Sequence, residues 1–449
     1  MSETPGETGK APTSETDFDQ VTALVTAEFQ VEESLVERGV PTYYLKEPQQ
    51  TRQAFERLLD TLEKTSLTAT LRRQDGRIVL KTIPKPPTKP SNVLVNWILL
   101  LATIGTTFLT GYLLSTGTIS PLISGATFTV AIMAVLGGHE MSHKMAASRS
   151  KVESTPPYFI PGPPPIGGVG GIGTFGAVIL QKSLPRNRDA LFDVGMSGPL
   201  IGFFICVVVA VVGLAISPPT YQLPEGPFLS VPLIFQLIAT GLGQLGIYGA
   251  GNLILVHPVA IAAIIGIIVN MIQLLPAGQL DGGHVARSAL GDRARLILSA
   301  LSIGFLVYTG FYPMAFLVLF LSLFRHPGPL DDVSPLSKSR KLLIIGLIVI
   351  FVLSGWSVSE PAHRLRIDST VPATPFRIYY AGSNYYANIT LWETELAEGT
   401  YDISLEQNFT IDSTTYSFLQ WQDGNTSLTR TVILNQDVSV TANYTVIGG

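Results

Sequence analysis

Two histidines and a glutamate stand together at the end of a long uncharged run. No residue from Pro90 to Gly138 carries a charge, and then His139, Glu140, Met141, Ser142 and His143 follow. On a helix, positions i and i+4 share one face, so the imidazoles of His139 and His143 can hold one metal ion. Glu140 projects beside them, where its carboxylate can take a proton from water activated by that metal. The chemistry such a set supports is zinc-assisted hydrolysis. Ionisable groups inside a membrane-length apolar segment are costly and usually functional, which strengthens that reading.

A zinc site that performs chemistry needs a third protein ligand and an open position. Asp281 is the best candidate. It is the first carboxylate after an uncharged stretch that starts at Gly226. It stands in "LLPAGQLDGGH", where Pro276 breaks a helix and Gly282-Gly283 let the backbone turn sharply. His284, close by, is a rival ligand. Basic residues follow both motifs: Lys151, Lys182, Arg186 and Arg188 after the first, Arg287, Arg293 and Arg295 after the second. The positive-inside bias puts both motifs at cytoplasmic helix ends, where one ion can touch all three ligands.

The elements that must position these residues are mostly apolar. The chain has 449 residues, only 14% of them charged, and a mean hydropathy of +0.36. Soluble domains carry about 25% charge, and several stretches here exceed the roughly 20 apolar residues of a spanning helix. The expected fold is a polytopic α-helical membrane protein of about seven spans. They are 92–115, 118–147, 193–217 and 258–280, a hairpin over 296–324 broken near Tyr312-Pro313, and 342–357. Residues 229–248 read as an interfacial or re-entrant segment. The net charge of −4 gives no case for nucleic acid. The single cysteine, Cys206, excludes an intrachain disulfide. No signal pattern precedes the first span, so that span is expected to insert the chain itself.

Polar regions flank the expected membrane domain, 91–358. Residues 1–17 have the composition of a disordered tail. Residues 18–84 read as a small soluble cytoplasmic α/β domain, with Phe55, Leu58, Leu59 and Leu62 at helical spacing and Asp75-Gly76 as a hairpin turn. Residues 365–449 alternate as strands, among them "TYSFLQW", "LTRTVILN" and "VSVTANYTV", and read as an extracytoplasmic β-sandwich-like domain. Four Asn-x-Ser/Thr sequons, at Asn388, Asn408, Asn425 and Asn443, agree with an outside location.

"GGHEMSHKMAA" together with "LLPAGQLDGG" resembles the site-2 protease family of intramembrane zinc metalloproteases. "GTFGAVILQKSLPRNRDALFDVGMSGPLIG" adds a closer likeness to the archaeal members and their plant chloroplast relatives. The likeness covers roughly residues 90–330; the C-terminal domain is outside it. It implies one Zn2+ held by His139, His143 and Asp281, with Glu140 as catalytic base. It implies intramembrane endopeptidase activity on single-span membrane proteins, in a multi-pass protein of the cell membrane surrounded by lipid bilayer. The N-terminus would be cytoplasmic and the C-terminal domain outside. Where the family has an asparagine that helps hold the substrate carbonyl, this chain has Gln273, with Asn270 one turn earlier as an alternative donor. A substrate helix must unwind before it is cut. The run "GTFGAVIL", with Gly173, Phe175 and Gly176, can present a strand edge to the unwound segment. The alternative reading is a catalytically silent relative that serves as a membrane scaffold or sensor. No residue pattern sets an oligomeric state.

Overall fold

The computed structural model describes residues 15–87, 90–115, 119–166, 171–220, 231–247, 253–324, 326–355, 362–380 and 384–448. The expected tail lies outside these up to residue 14, as do parts of the loop 218–257. The chain packs as two compact units. The first comprises residues 1–110, 132–205 and 269–351; the second comprises 111–131, 206–268 and 352–449.

The first unit begins with α1 (Glu15–Glu28), β1 (Val31–Glu37), β2 (Val40–Leu45), α2 (Arg52–Leu62), β3 (Leu67–Gln74) and β4 (Arg77–Pro84). The strands form one antiparallel sheet in the order β1-β2-β4-β3. The β3–β4 turn is made by Asp75 and Gly76, at φ +49° and +83°, the left-handed pair that a tight hairpin requires. Helix α2 buries Phe55, Leu58, Leu59 and Leu62 against Tyr43, Leu71 and Leu80 of the sheet.

The apolar region follows with α3 (Val93–Leu113), α4 (Pro121–Arg149), β5 (Tyr158–Pro161), β6 (Thr174–Val178) and α5 (Arg188–Ala215). Next come β7 (Pro219–Thr220), α6 (Leu233–Gln244), β8 (Leu253–Ile254), α7 (Pro258–Gln273) and α8 (Asp281–Leu290). Helices α9 (Asp292–Tyr308), α10 (Tyr312–Ser322) and α11 (Lys338–Gly355) complete it. Among the described residues, only α3, α4 and α5 are long and apolar enough to cross a membrane. The expected count of about seven spans is not supported: among the described residues three helices have the length and composition of a span. The later apolar stretches break too early. Helix α7 ends at Gln273 after 16 residues, about 24 Å against a hydrocarbon core of roughly 30 Å. The stretch 296–324 does fold back as a hairpin, but its arms are short: α9 opens on charged Asp292, Arg293 and Arg295, and α10 has 11 residues. Helix α11 places Lys338, Arg340 and Lys341 in its first turn. Segment 229–248 yields α6, at 12 residues also too short to cross.

A strap, residues 327–337, ties the N-terminal sheet to this region within the first unit. Leu71 of the edge strand β3 donates its amide to Leu330 O (2.8 Å), and Asp332 N donates back to Leu71 O (3.1 Å). On the strap's other side, Leu330 N and Asp331 N donate to the carbonyls of Pro185 and Arg186. The polar face of α2 adds charge: Asp60 and Glu63 meet Arg186, and Asp60 meets Lys151. Asp332 accepts a two-pronged bond from Arg287 of α8 (2.7 and 3.0 Å) and one from Arg188 at the start of α5 (3.2 Å). Lys151, Arg186, Arg188 and Arg287, which follow the two motifs, thus have structural partners.

The second unit contains a β-sandwich made of β9 (Ala362–Ser369), β10 (Pro375–Tyr380), β11 (Asn384–Ile389), β12 (Trp392–Ala397), β13 (Gly399–Leu405), β14 (Asn408–Ile411), β15 (Thr414–Trp421), β16 (Thr429–Leu434) and β17 (Val438–Gly448). One sheet runs β11-β10-β13-β16 and the other β12-β9-β17-β15-β14. Strict alternation drives the packing: Tyr401, Ile403 and Leu405 point inward from β13, and Trp421, Leu365, Ile367 and Val440 meet them in one core.

Candidate metal centre

Helix α4 carries His139, Glu140 and His143 on its last turns, all buried. The three offer ligand atoms within 4.8 Å of one another. Helix α8 starts at Asp281, whose Oδ2 lies 3.0 Å from His139 Nε2 and 3.1 Å from His143 Nε2. The two Nε2 atoms are 3.1 Å apart. A buried triangle of two imidazole nitrogens and a carboxylate oxygen brings three electron-rich atoms face to face, which is unfavourable unless a cation lies among them. The edges are close to the roughly 3.3 Å between ligands at a tetrahedral zinc with metal–ligand distances near 2.0 Å. The donor set fits a zinc ion.

Two further observations fit it. His143 Nδ1–H donates to Val194 O (2.6 Å), so the lone pair of this ring is on Nε2, facing the cluster. Helix α5 meets the histidines through glycine. A Cβ on Gly198 would lie 2.1 Å from His143 Nε2 and 2.6 Å from His139 Nε2, and one on Gly202 would lie 2.9 Å from His139 Nδ1. Gly195, on the same face, lets α5 approach α8: its Cβ would fall 2.9 Å from Asp281 O. Sequence reasoning did not assign these glycines a role, although their spacing of three and four residues puts them on one helix face.

Asp281 is oriented by the turn before it. That turn is taken at Gly278, with φ +52°. Gly282 and Gly283 lie inside α8 and serve close approach instead: a Cβ on Gly282 would sit 2.1 Å from Leu274 O. His284 turns to a different partner. Gly328 N–H donates to His326 Nδ1 (3.0 Å), so His326 Nε2 carries the proton and donates to His284 Nδ1 (2.8 Å). Burial pushes His284 down to about 4, which leaves this imidazole neutral at pH 7.

The remaining predicted residues lie on or next to β6 and on α7. Strand β6 pairs with β5, and among the described residues its other edge is unpaired. Phe175 on β6 is 74% exposed, as a residue open to a partner would be. Gly173 takes φ +77° and accepts a hydrogen bond from Thr106 Oγ1 of α3 (2.6 Å); Gly176 takes φ +99°. Gln273 ends α7, half-buried. Asn270, buried one turn earlier, donates its Nδ2 to Pro199 O of α5 (3.0 Å).

Residues 127–318 match the model of Peptidase family M50. Over this segment the chain is similar to peptidase family M50. Among curated proteins, the chain is similar to "Probable zinc metalloprotease EGY2, chloroplastic" of Oryza sativa subsp. indica, 31% identical over 246 residues, 53% of this chain and 42% of that protein. It is similar to the Arabidopsis thaliana protein of the same name, 30% identical over 228 residues, 49% of this chain and 39% of the relative. It is also similar to "Probable zinc metalloprotease EGY1, chloroplastic" of Arabidopsis thaliana, 29% identical over 240 residues, 50% and 42% of the two chains. The chain thus spans less than half the length of these relatives. The matched M50 segment contains His139, Glu140, His143, Asn270, Gln273 and Asp281.

Proposed function

We propose that this chain is a zinc metalloendopeptidase that cuts membrane proteins within or near a transmembrane segment. The observation that carries the reading is the convergence of His139 Nε2, His143 Nε2 and Asp281 Oδ2 within 3.1 Å of one another, on α4 and α8, with Glu140 buried beside them. His139, His143 and Asp281 would hold the zinc. When bound, zinc supplies Lewis acidity, acidifying water and polarising a carbonyl.

The chain's own residues do the rest. Glu140 takes the proton of the attacking water and returns it to the leaving amine, a role its place next to two ligands suits. Gln273 supplies an amide donor toward the substrate carbonyl as its oxygen gains charge. The free edge of β6 binds the unwound substrate by main-chain hydrogen bonds, with Phe175 and Gly176 on the strand and Gly173 as the turn that leads into it. The substrate class is single-span membrane proteins. The protein works in the cell membrane with the N-terminal sheet in the cytoplasm and the sandwich outside; the basic loops after both motifs and the sequons on the sandwich support this.

The test is cleavage of a single-span substrate by purified protein. Wild type should cut it at a bond that mass spectrometry places in or next to the span, and Glu140→Gln should be at least about 100-fold slower. Zinc bound by a wild type that cuts no substrate would favour the silent scaffold; equal cleavage by Glu140→Gln would remove Glu140 from the reaction.

A further inference from the structure

If His139 presents Nε2 to a metal, its other nitrogen must carry the ring's proton, and a buried N–H needs an acceptor. For His143 that acceptor is the Val194 carbonyl. For His139, no backbone carbonyl takes this place among the hydrogen bonds of the described residues. For Nδ1, a candidate acceptor is Oδ1 of Asn270. Both atoms lie within 3.1 Å of the point where a Cβ on Gly202 would sit, and the Asn270 side chain interacts with the His139 ring. Asn270 Oδ1 is buried and has no hydrogen-bond partner among the described residues, so it is a free acceptor on this side of His139. The opposite end of the same carboxamide is fixed, because Nδ2 donates to Pro199 O (3.0 Å). That bond settles which way the amide points: nitrogen toward α5, oxygen toward His139.

We infer that Asn270 is a positioning residue for the metal centre, accepting the Nδ1–H of His139 so that Nε2 is held, deprotonated, toward His143 and Asp281. The inference rests on the metallopeptidase reading but concerns a group that touches neither metal nor substrate. Asn270 anchored to α5 by one end and to His139 of α4 by the other sets the ring's tautomer and its angle. Gly202 is the necessary gap: any side chain there would enter the space between the two atoms. Loss of such an outer partner typically weakens metal binding about 10- to 100-fold.

The experiment measures zinc affinity by chelator competition, and the visible spectrum of the Co2+-substituted full-length protein, for wild type and three variants. Asn270→Ala removes both bonds, Asn270→Asp keeps the acceptor and loses the donor to Pro199, and Gly202→Ala keeps that donor but blocks the contact with His139. The expected result is affinity about 10- to 100-fold lower for Asn270→Ala and Gly202→Ala, restoration to within a few-fold by Asn270→Asp, and an altered Co2+ spectrum in the two weak variants. Affinity for Asn270→Ala within about threefold of wild type would overturn the inference. So would Asn270→Asp as weak as Asn270→Ala, since the Pro199 bond would then be what matters. A wild type that binds no metal would sink the metallopeptidase reading instead, which keeps the two failures apart.

Discussion

Adding one methyl group at Gly198 should separate metal binding from folding. The new Cβ would lie 2.1 Å from His143 Nε2, 2.5 Å from its Cε1 and 2.6 Å from His139 Nε2. Ordinary carbon–nitrogen contact is roughly 3.4 Å, so each atom must move by about 1 Å. His143 has little room to give: it is 5% exposed and its Nδ1 is bonded to Val194 O at 2.6 Å, on the same helix as the substitution. Breaking that bond in a buried site costs about 1–3 kcal/mol. Displacing a zinc ligand by about 1 Å exceeds the tolerance of roughly 0.2 Å for metal–ligand distances. Losing an outer partner alone weakens such sites about 10- to 100-fold, so displacing two ligands should weaken zinc binding by at least about 100-fold. Helix propensity pulls the other way, since Gly→Ala in a helix interior contributes about 1 kcal/mol. The variant should therefore remain folded, as judged by size-exclusion behaviour and hydrogen exchange in the N-terminal sheet, while chelator competition shows zinc binding lost. Gly198→Ala binding zinc within about threefold of wild type would refute the claim that α5 borders the ion.

The docking of the N-terminal sheet should depend on acid. Arg186 and Lys151 hold the Asp60 carboxyl below its ordinary 3.8; for Asp332, burial acts to raise the value, and Arg287 and Arg188 outweigh it. A lowered folded value stabilises above the unfolded value and loses that stability as pH falls through the folded one. Protection of the Leu71 amide, corrected for intrinsic exchange rate, should be level from pH 8 to about pH 5 and fall below about pH 4; a fall centred near pH 6.5 would implicate histidine instead. In the sandwich, Trp421 is fully buried and donates Nε1–H to Ser427 O (2.7 Å). Trp421→Ala should destabilise that domain by about 3–5 kcal/mol in hydrogen exchange of β13 and β17, and a loss under about 1 kcal/mol would contradict the core described for it.

The clustering of the four candidate residues was legible because their types and spacing are restrictive: a helix leaves little freedom for His139, Glu140 and His143, and Asp281 stands alone after a long uncharged run. The N-terminal hairpin was legible from Asp75-Gly76, and the sandwich from alternation such as that of "TYSFLQW", which becomes β15. The span count was not legible. Hydropathy measures how apolar a stretch is and not how long its helix runs: the break at Pro276 and the hairpin near Tyr312-Pro313 were legible, but not that α7, α9 and α10 would be too short to cross. The glycines of α5 carry no chemistry of their own; they matter through what a Cβ would strike, which sequence does not display. The strap at 327–337 reads as a proline-rich loop, and its pairing with Leu71 joins residues more than 250 positions apart.

The most direct test of the central claim is the zinc content of purified protein, in wild type and in variants of the ligand on α8. The account predicts about one zinc per chain in wild type, much weaker binding in Asp281→Ala, and binding in His284→Ala within a few-fold of wild type, because His284 is paired with His326. Zinc retained at full affinity by Asp281→Ala and lost in His284→Ala would contradict the assignment of Asp281 as the third ligand.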